Sequence, residues 1–251
     1  MTAPLLPLAD SFPATRLALH RVAAYVVSPA RRHAMGRMGL RVAPGGLATP
    51  TFAGPDGMTT VGVEGVDLVV HSDSGRRHQP LTTLAAAGSL VGVEPDVAWA
   101  AGLDIPEPGP LDADLGVDAD DAAALAAWFG FGWGILEALS MDDASTHASE
   151  PQLWPEHFDP AIEIGDPAGT SRASYGFSPG DVSRDAGPGP EPLPYVYVAP
   201  WHPDDRPDDA YWSAGRLAVL RYADLLTESD PAAAARAFLV RGRSLLAGGE
   251  G

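Results

Sequence analysis

The sequence predicts an α+β protein, with mainly antiparallel strands in two groups packed with several helices. Short alternating segments bounded by glycine and proline occur around residues 40–80 and again around 153–200. Segments with helical spacing lie at the start, the middle and the end of the chain. We expect a single domain over residues 1–251, with the Pro-, Gly- and acid-rich stretch 104–117 as the place for any subdivision.

The first eighty residues predict helix and then hairpins. Helical spacing predicts a helix over 13–35, broken at its Ser-Pro pair, where Pro29 opens a second short helix. "GLRVAPGGLATPTF" predicts two extended pieces joined by a Pro-Gly-Gly turn, and "TTVGVEGVDLVVHS" predicts a hairpin that turns at Glu-Gly. The arginine-rich segment His71–His78 is expected to be a loop, and Pro80 to begin a helix.

The remaining chain predicts a central helix, three strands and two final helices. Helix 119–140 is apolar nearly all round and begins at a capping Asp118. Its Gly130 and Gly134 share one face, which predicts close approach by another backbone. The predicted strands are 156–164, 171–177 and 194–199, and the predicted helices are 208–226 and a last one from Asp230 to Leu246.

Composition excludes several chemistries. All 16 cationic residues are arginines, and the chain has no lysine and no cysteine. A P-loop nucleotide site, a pyridoxal phosphate (PLP) anchor, a thiol nucleophile and a thiolate-bound iron–sulfur (Fe–S) cluster therefore lack their usual residues. Catalysis would depend on His, Asp, Glu, Ser, Thr, Tyr or Arg, on an oxygen- or nitrogen-ligated divalent metal, or on a bound cofactor.

The charge of −17 is concentrated in the middle of the chain. Residues 81–215 hold 3 arginines and 24 acids, whereas residues 1–80 hold 8 arginines and 5 acids. This acidic section predicts no nucleic acid and no membrane partner, and it suits a basic protein partner. The first 20 residues lack the pattern of a signal peptide, and the longest uncharged run is short for a membrane span, so we expect a cytoplasmic protein.

The segment "LWPEHFDPAIEI" suggests a polar site. On a strand, His157, Asp159 and Glu163 would share one face and could ligate a divalent metal, or His157 could act as a general base. Pairing with the next strand would add Arg172 and Ser174. Asp181 and His202 would stand at the rim. The alternative is that this row is the solvated side of a sheet, where the arginine pairs with the acids.

Aromatic residues concentrate in the same region. Residues 153–212 hold seven of the chain's twelve Trp and Tyr residues. Such side chains can line a pocket or form the core of a sheet. The candidate ligand-binding residues are Trp154, Arg172, Ser174, Tyr175, Asp181, Tyr195, Tyr197 and Trp201.

A second basic feature lies in the first half of the chain. His71, Arg76, Arg77 and His78 could meet an anion, or they could form a solvated hairpin tip.

Several segments resemble a known group of sequences. "QLWPEHFDPAIEIG", "ASYGFSPGD", "PLPYVYVAPW" and "GRMGLRVAPGGLATPTF" resemble signature segments of an uncharacterised protein family from high-GC Gram-positive bacteria. No activity is attached to that family, so the resemblance implies no role for any residue.

Three functions fit the sequence. The first is a small-molecule-binding protein with an aromatic-lined pocket in region 153–212. The second is a metal-assisted or His/carboxylate hydrolase using His157, Asp159, Glu163 and His202. The third is an acidic module that binds a basic protein.

Overall fold

The computed structural model describes residues 5–100, 103, 105–181 and 191–248. It contains two antiparallel sheets and several helices, which confirms the α+β class. The chain divides into two compact units, and each is considered separately. The amino-terminal unit comprises Leu8–Gly130 and Leu153–Phe158, and the carboxy-terminal unit comprises Met1–Pro7, Phe131–Gln152 and Asp159–Gly251. The predicted boundary segment 104–117 lies inside the amino-terminal unit.

The amino-terminal unit begins with one continuous helical segment. Helix α1 (Phe12–Val22) runs through a π-helical turn (Ala23–Val27) into α2 (Ser28–Met35). The predicted break at the Ser-Pro pair is wrong, because the backbone at Ser28 stays helical. Pro29 stands in the first turn of α2, where its missing N–H is tolerated. The π-helical turn lies directly before α2.

The first sheet follows α2. It comprises β1 (Arg41–Ala43), β2 (Gly46–Ala48), β3 (Phe52–Gly54), β4 (Gly57–Glu64), β5 (Asp67–Ser72) and β6 (Gly75–Pro80). Its strand order is β1-β2-β4-β5-β6, with β3 paired to β4. The two extended pieces predicted around the Pro-Gly-Gly turn pair with each other as β1 and β2. The hairpin predicted at Glu-Gly, the second in the chain, is confirmed and pairs Glu64 with Asp67.

The arginine-rich segment is a strand, which corrects the predicted loop. Arg76, Arg77 and His78 lie in β6 and pair with β5 from Ser72↔Gly75 to Asp67↔Pro80. A charged, exposed edge strand gives little hydrophobic signal in the sequence, but its backbone still completes the ladder. The helix expected at Pro80 begins later, as α3 (Leu84–Val91), where the Thr83 hydroxyl accepts a hydrogen bond from the Ala86 N–H.

Two more helices complete this part of the chain. The short α4 (Val97–Ala100) precedes α5 (Ala119–Ser140), which is the predicted central helix and whose bounds extend into the carboxy-terminal unit. The Asp118 carboxylate accepts hydrogen bonds from the N–H groups of Asp120 and Asp121, as expected of a cap. By length and composition α5 could cross a membrane, but buried core helices meet the same criteria, and half of its most apolar window is buried.

The carboxy-terminal unit contains the second sheet. Strand β7 (Gln152–Trp154) begins at the last residue of one segment of this unit, and its Leu153 and Trp154 belong to the amino-terminal unit. Within the carboxy-terminal unit the strands are β8 (Asp159–Ile164), β9 (Ala173–Ser178), β10 (Tyr195–Pro200) and β11 (Ala218–Arg221), in the order β11-β10-β9-β8. Helices α6 (Tyr222–Leu225) and α7 (Pro231–Ala247) follow.

Two further expectations are wrong. Residues 208–226 are not one helix, because Gly215 turns with a positive φ of 62° between the bridged Ala214 and Leu217, and β11 follows. Close packing on α5 occurs at Gly132, where a Cβ would lie 2.5 Å from the Phe177 ring. Among the described residues, nothing stands within 4 Å of a Cβ built at Gly130 or Gly134.

Candidate functional site

One face of the second sheet gathers many of the sequence-predicted polar residues. Glu163 lies opposite Ser174, Ala161 opposite Gly176, and Gly176 opposite Tyr197. Residues directly opposite one another project to the same side of a sheet. This side, called the polar face below, carries Asp159, Glu163, Ser174, Ser178, Tyr195 and Tyr197.

A tyrosine and a carboxylate are joined across the polar face. The Tyr197 hydroxyl donates to Asp159 Oδ2 at 2.5 Å. The tyrosine ring lies over Gly176, where any Cβ would stand 2.5 Å from the ring. The glycine therefore lets the ring cross the intervening strand. Burial and the neighbouring Asp159 carboxylate raise the pKa of Tyr197 well above its ordinary value, so the hydroxyl stays protonated.

Arg172 clamps the loop between β8 and β9. Its guanidinium forms an ion pair with Glu163 and donates to the Gly165 carbonyl oxygen at 2.8 Å. Its Cζ lies 5.2 Å from the centre of the Trp201 ring, and the Trp201 indole N–H donates to the Ser174 hydroxyl at 3.2 Å. The arginine side chain is only 10% exposed, so these contacts occupy a mostly buried group.

Polar groups at the far end of the polar face also pair with other groups of the same unit. The Tyr195 hydroxyl donates to Asp181 Oδ1 at 3.0 Å, and the other Asp181 oxygen accepts from the Glu191 N–H at 2.9 Å. Burial and the Asp181 charge raise the pKa of Tyr195. Arg221, opposite Tyr195 on β11, pairs with Glu191 at 2.5 Å.

The expectation that His157 shares one face of a strand with Asp159 and Glu163 is wrong. Strand β8 begins at Asp159, whereas His157 is exposed in a turn that closes with the Phe158 N–H donating to the Trp154 carbonyl oxygen. Phe158 has φ +56°, a left-handed conformation that a strand does not accommodate. His157 and Trp154 belong to the amino-terminal unit, and the two carboxylates belong to the carboxy-terminal unit.

The other predicted residues lie elsewhere. Tyr175 stands opposite Ile162 and Val198 on the reverse face of the second sheet, where it is buried. His202 is exposed in the turn after β10. Across the described ranges, no group of three or more His, Asp or Glu side chains is arranged to hold a metal ion.

The amino-terminal unit contains a cavity of about 290 Å³. Its base is apolar: Phe52, Val61 and Val70 are each less than 5% exposed. Helix α2 contributes Ala30 and Ala34, and the segment after α3 contributes Val93. The cavity is therefore bounded by strands on one side and by helical segments on the other.

Strand register places one arginine at this cavity. Val61, Val70 and Arg77 lie directly opposite one another across β4, β5 and β6, so all three share the inner face of the first sheet. Arg76 lies opposite His71 and Thr60 on the reverse face, where it pairs with Glu64 at 3.0 Å. Two adjacent arginines thus have different surroundings.

The polar rim of the cavity is loosely connected. Arg77 Nη1 donates to the Leu90 carbonyl oxygen at 3.1 Å, and Arg77 Nη2 lies 3.6 Å from Asp56 Oδ2, which is too far for a hydrogen bond. Both side chains are about half exposed. Thr59, Ser72 and His33 complete the polar lining.

A compact ionic cluster stands beside the rim. Asp96 pairs with Arg32, lies 3.5 Å from His33 Nε2, and accepts the Trp99 N–H at 3.0 Å. The Arg32 Cζ lies 4.6 Å from the centre of the Trp99 ring. Hydrogen bonds from the Trp99 N–H, His33 and Arg32, together with the Arg32 charge, lower the pKa of Asp96.

Sequence reasoning missed most of this cavity. It singled out Arg77 only as part of a basic loop, and it assigned no role to His33, Phe52 or Asp56. Alternation within "GRRHQP" could have separated Arg77 from Arg76, had that segment been recognised as a strand.

Comparison of the chain with protein-family models, with curated proteins and with solved structures gives no match in any of the three. The resemblance to an uncharacterised family stays a prediction.

Proposed function

We propose that this protein binds a small, largely apolar molecule in the cavity of its amino-terminal unit. The observation that carries the proposal is the cavity's construction, an apolar base of Phe52, Val61 and Val70 with a few polar groups at one side. Binding pockets for small molecules commonly combine a mainly apolar lining with a small number of orienting polar groups.

The size of the cavity limits the ligand. About 290 Å³ is near the lower end of common ligand pockets and about twice the volume of an engineered cavity that holds benzene. A molecule with one or two small rings, or a short branched chain, suits that volume.

The polar face of the second sheet is less suited to bind a ligand than the cavity is. Arg172, Asp159 and Asp181 are each engaged by other groups of the same unit, and such pairs hold a sheet together without a ligand. Ligand binding by region 153–212 stays a prediction. The cavity offers apolar surface that a ligand can cover with a gain of free energy.

The test uses 4-fluorobenzamide, an uncharged probe, and fluorine NMR. We expect line broadening with the parent protein. The Ala34→Leu variant should weaken binding about tenfold or more, because its longer side chain occupies the cavity from α2. Leucine preserves helix propensity, so α2 should remain folded.

The matched control is Ala237→Leu. Ala237 is also an exposed alanine, but it lies on α7 in the carboxy-terminal unit. Equal binding by parent and Ala237→Leu, with loss in Ala34→Leu, supports the proposal. Absence of binding by the parent, or equal binding by all three proteins, contradicts it.

A further inference from the structure

We infer that the ligand is a small organic anion, whose carboxylate or similar group is bound by Arg77 while its apolar body fills the cavity. This inference rests on the proposed function, because it names the class of molecule that the same cavity accepts. It assigns Arg77 a direct binding role.

The position of Arg77 is unusual for an arginine. It continues a row of two buried valines on the inner face of the first sheet, whereas its neighbour Arg76 projects to the reverse face. The two arginine side chains are similarly exposed, 50% for Arg77 and 42% for Arg76, so they differ in the face that they occupy. Burial of apolar groups alone would favour an apolar residue at this point in the row. A cation on an inner face can prevent another strand from pairing with the sheet edge, or it can bind an anion. The number of its N–H donors that remain unused distinguishes these two roles.

Arg77 retains hydrogen-bonding capacity. Among the described residues, one of its five N–H donors goes to the Leu90 carbonyl oxygen, and the carboxylate oxygen that comes nearest, on Asp56, lies 3.6 Å from Nη2. Contrast Arg172, whose two terminal nitrogens both have acceptors within its own unit. Guanidinium groups bind carboxylates through two parallel hydrogen bonds, and Arg77 has donors left for such a pair.

Asp56 provides an internal competitor. It lies in the turn between β3 and β4, lines the cavity and partly neutralises Arg77. An incoming carboxylate would replace this loose contact with close hydrogen bonds. Removing the Asp56 charge should therefore strengthen anion binding, whereas removing the Arg77 charge should weaken it.

The experiment compares three probes of similar shape by fluorine NMR titration: 4-fluorobenzoate, 4-fluorobenzamide and 4-fluorobenzylamine, which are anionic, neutral and cationic. We expect the parent protein to bind the benzoate about tenfold more tightly than the benzamide, and the benzylamine more weakly than both. Ala34→Leu should weaken binding of the benzoate and the benzamide.

The variants distinguish a direct contact between Arg77 and the anion from an effect of the overall charge of the protein. Arg77→Met should bring the affinity for the benzoate down to that for the benzamide. Arg76→Met removes the same charge from the reverse face and should preserve the preference for benzoate. Asp56→Asn should raise benzoate affinity several-fold, and it keeps the inference testable should Arg77→Met fail to fold.

The outcomes distinguish the two proposals. If benzamide and benzoate bind the parent equally at a site sensitive to Ala34→Leu, the cavity binds ligands but the anion inference fails. Equal effects of Arg77→Met and Arg76→Met, or no gain from Asp56→Asn, also overturn it, leaving Arg77 as a charged edge-strand residue. If none of the three probes binds, both proposals fail.

Discussion

The polar face of the second sheet and the inner face of the first sheet both place an arginine among acids, yet the two arrangements differ. On the polar face, Arg172 is mostly buried and is held by Glu163 and a carbonyl oxygen. On the inner face, Arg77 is half exposed and 3.6 Å from its acid, beside a cavity. Residue type is therefore a poor guide to a site, because what matters is whether the groups already satisfy one another.

The largest expected effect is a loss of stability of the carboxy-terminal unit at alkaline pH. It would add a difference in pH dependence to the differences between the two units. This unit holds five of the six tyrosines, and burial raises the pKa of Tyr175, Tyr195, Tyr197 and Tyr211. Above pH about 10 the unfolded chain loses phenolic protons that the folded unit retains, so stability falls by roughly 1.4 kcal/mol per pH unit for each such tyrosine.

The measurement combines tyrosinate absorbance with amide hydrogen exchange along the chain. The stabilising contribution is complete below the unfolded pKa and is lost as pH rises toward the folded pKa. Tyr197→Phe should reduce the loss of unfolding free energy per pH unit by the contribution of one tyrosine. Tyrosines that titrate near pH 10 while the unit stays folded would contradict the burial described for them.

The next effect compares the two arginines directly. Arg172→Met should lower the free energy of unfolding by about 2–4 kcal/mol, because it leaves Glu163 and the Gly165 carbonyl oxygen without their donor in a mostly buried place. Arg77→Met should change it by less than about 0.5 kcal/mol, because that side chain is half exposed and loosely paired.

Urea denaturation of both variants measures the difference. Equal costs would remove the distinction between a structural and a binding arginine. A near-zero cost for Arg172→Met alone would show that the polar face is less dependent on its internal pairs than its geometry indicates.

A smaller effect than that of Arg172→Met concerns the ionic cluster beside the cavity. Asp96→Asn should cost about 1 kcal/mol near neutral pH, because a neutral amide replaces the carboxylate that pairs with the Arg32 guanidinium and lies 3.5 Å from His33 Nε2. The folded-state pKa of Asp96 is lowered, so this contribution is present above the unfolded pKa and disappears as pH falls through the folded value.

The cost of Asp96→Asn should therefore vanish in acid. Thermal unfolding of parent and variant across acidic to neutral pH measures this, with Glu64→Gln as an exposed comparison whose carboxylate also pairs with an arginine and a histidine. A cost that is independent of pH would mean that the charge of Asp96 is unimportant.

Local signals were sufficient for several elements. The second hairpin turns at its Glu-Gly pair, where Gly65 has φ +62°, and helices α5 and α7 begin at the predicted aspartates. In each case the residue that specifies the structure is adjacent in the chain to the structure that it specifies.

The errors occurred where distant contacts decide. β6 was missed because its strand conformation depends on pairing with β5 and not on its own hydrophobicity. His157 was misplaced because the left-handed Phe158 interrupts the alternation; that ring stacks on His20, with ring centres 4.8 Å apart, and meets Phe129 edge-on. Packing of a buried aromatic can offset a local backbone cost that sequence patterns do not express.

The sequence by itself determined the α+β class, the capped helices, and the absence of lysine and cysteine, because composition and short-range patterns carry that information. Only the tertiary structure decided which polar residues satisfy one another and which border a cavity. Hydrogen bonds and cavities depend on strand register, and register brings together residues that the chain keeps far apart.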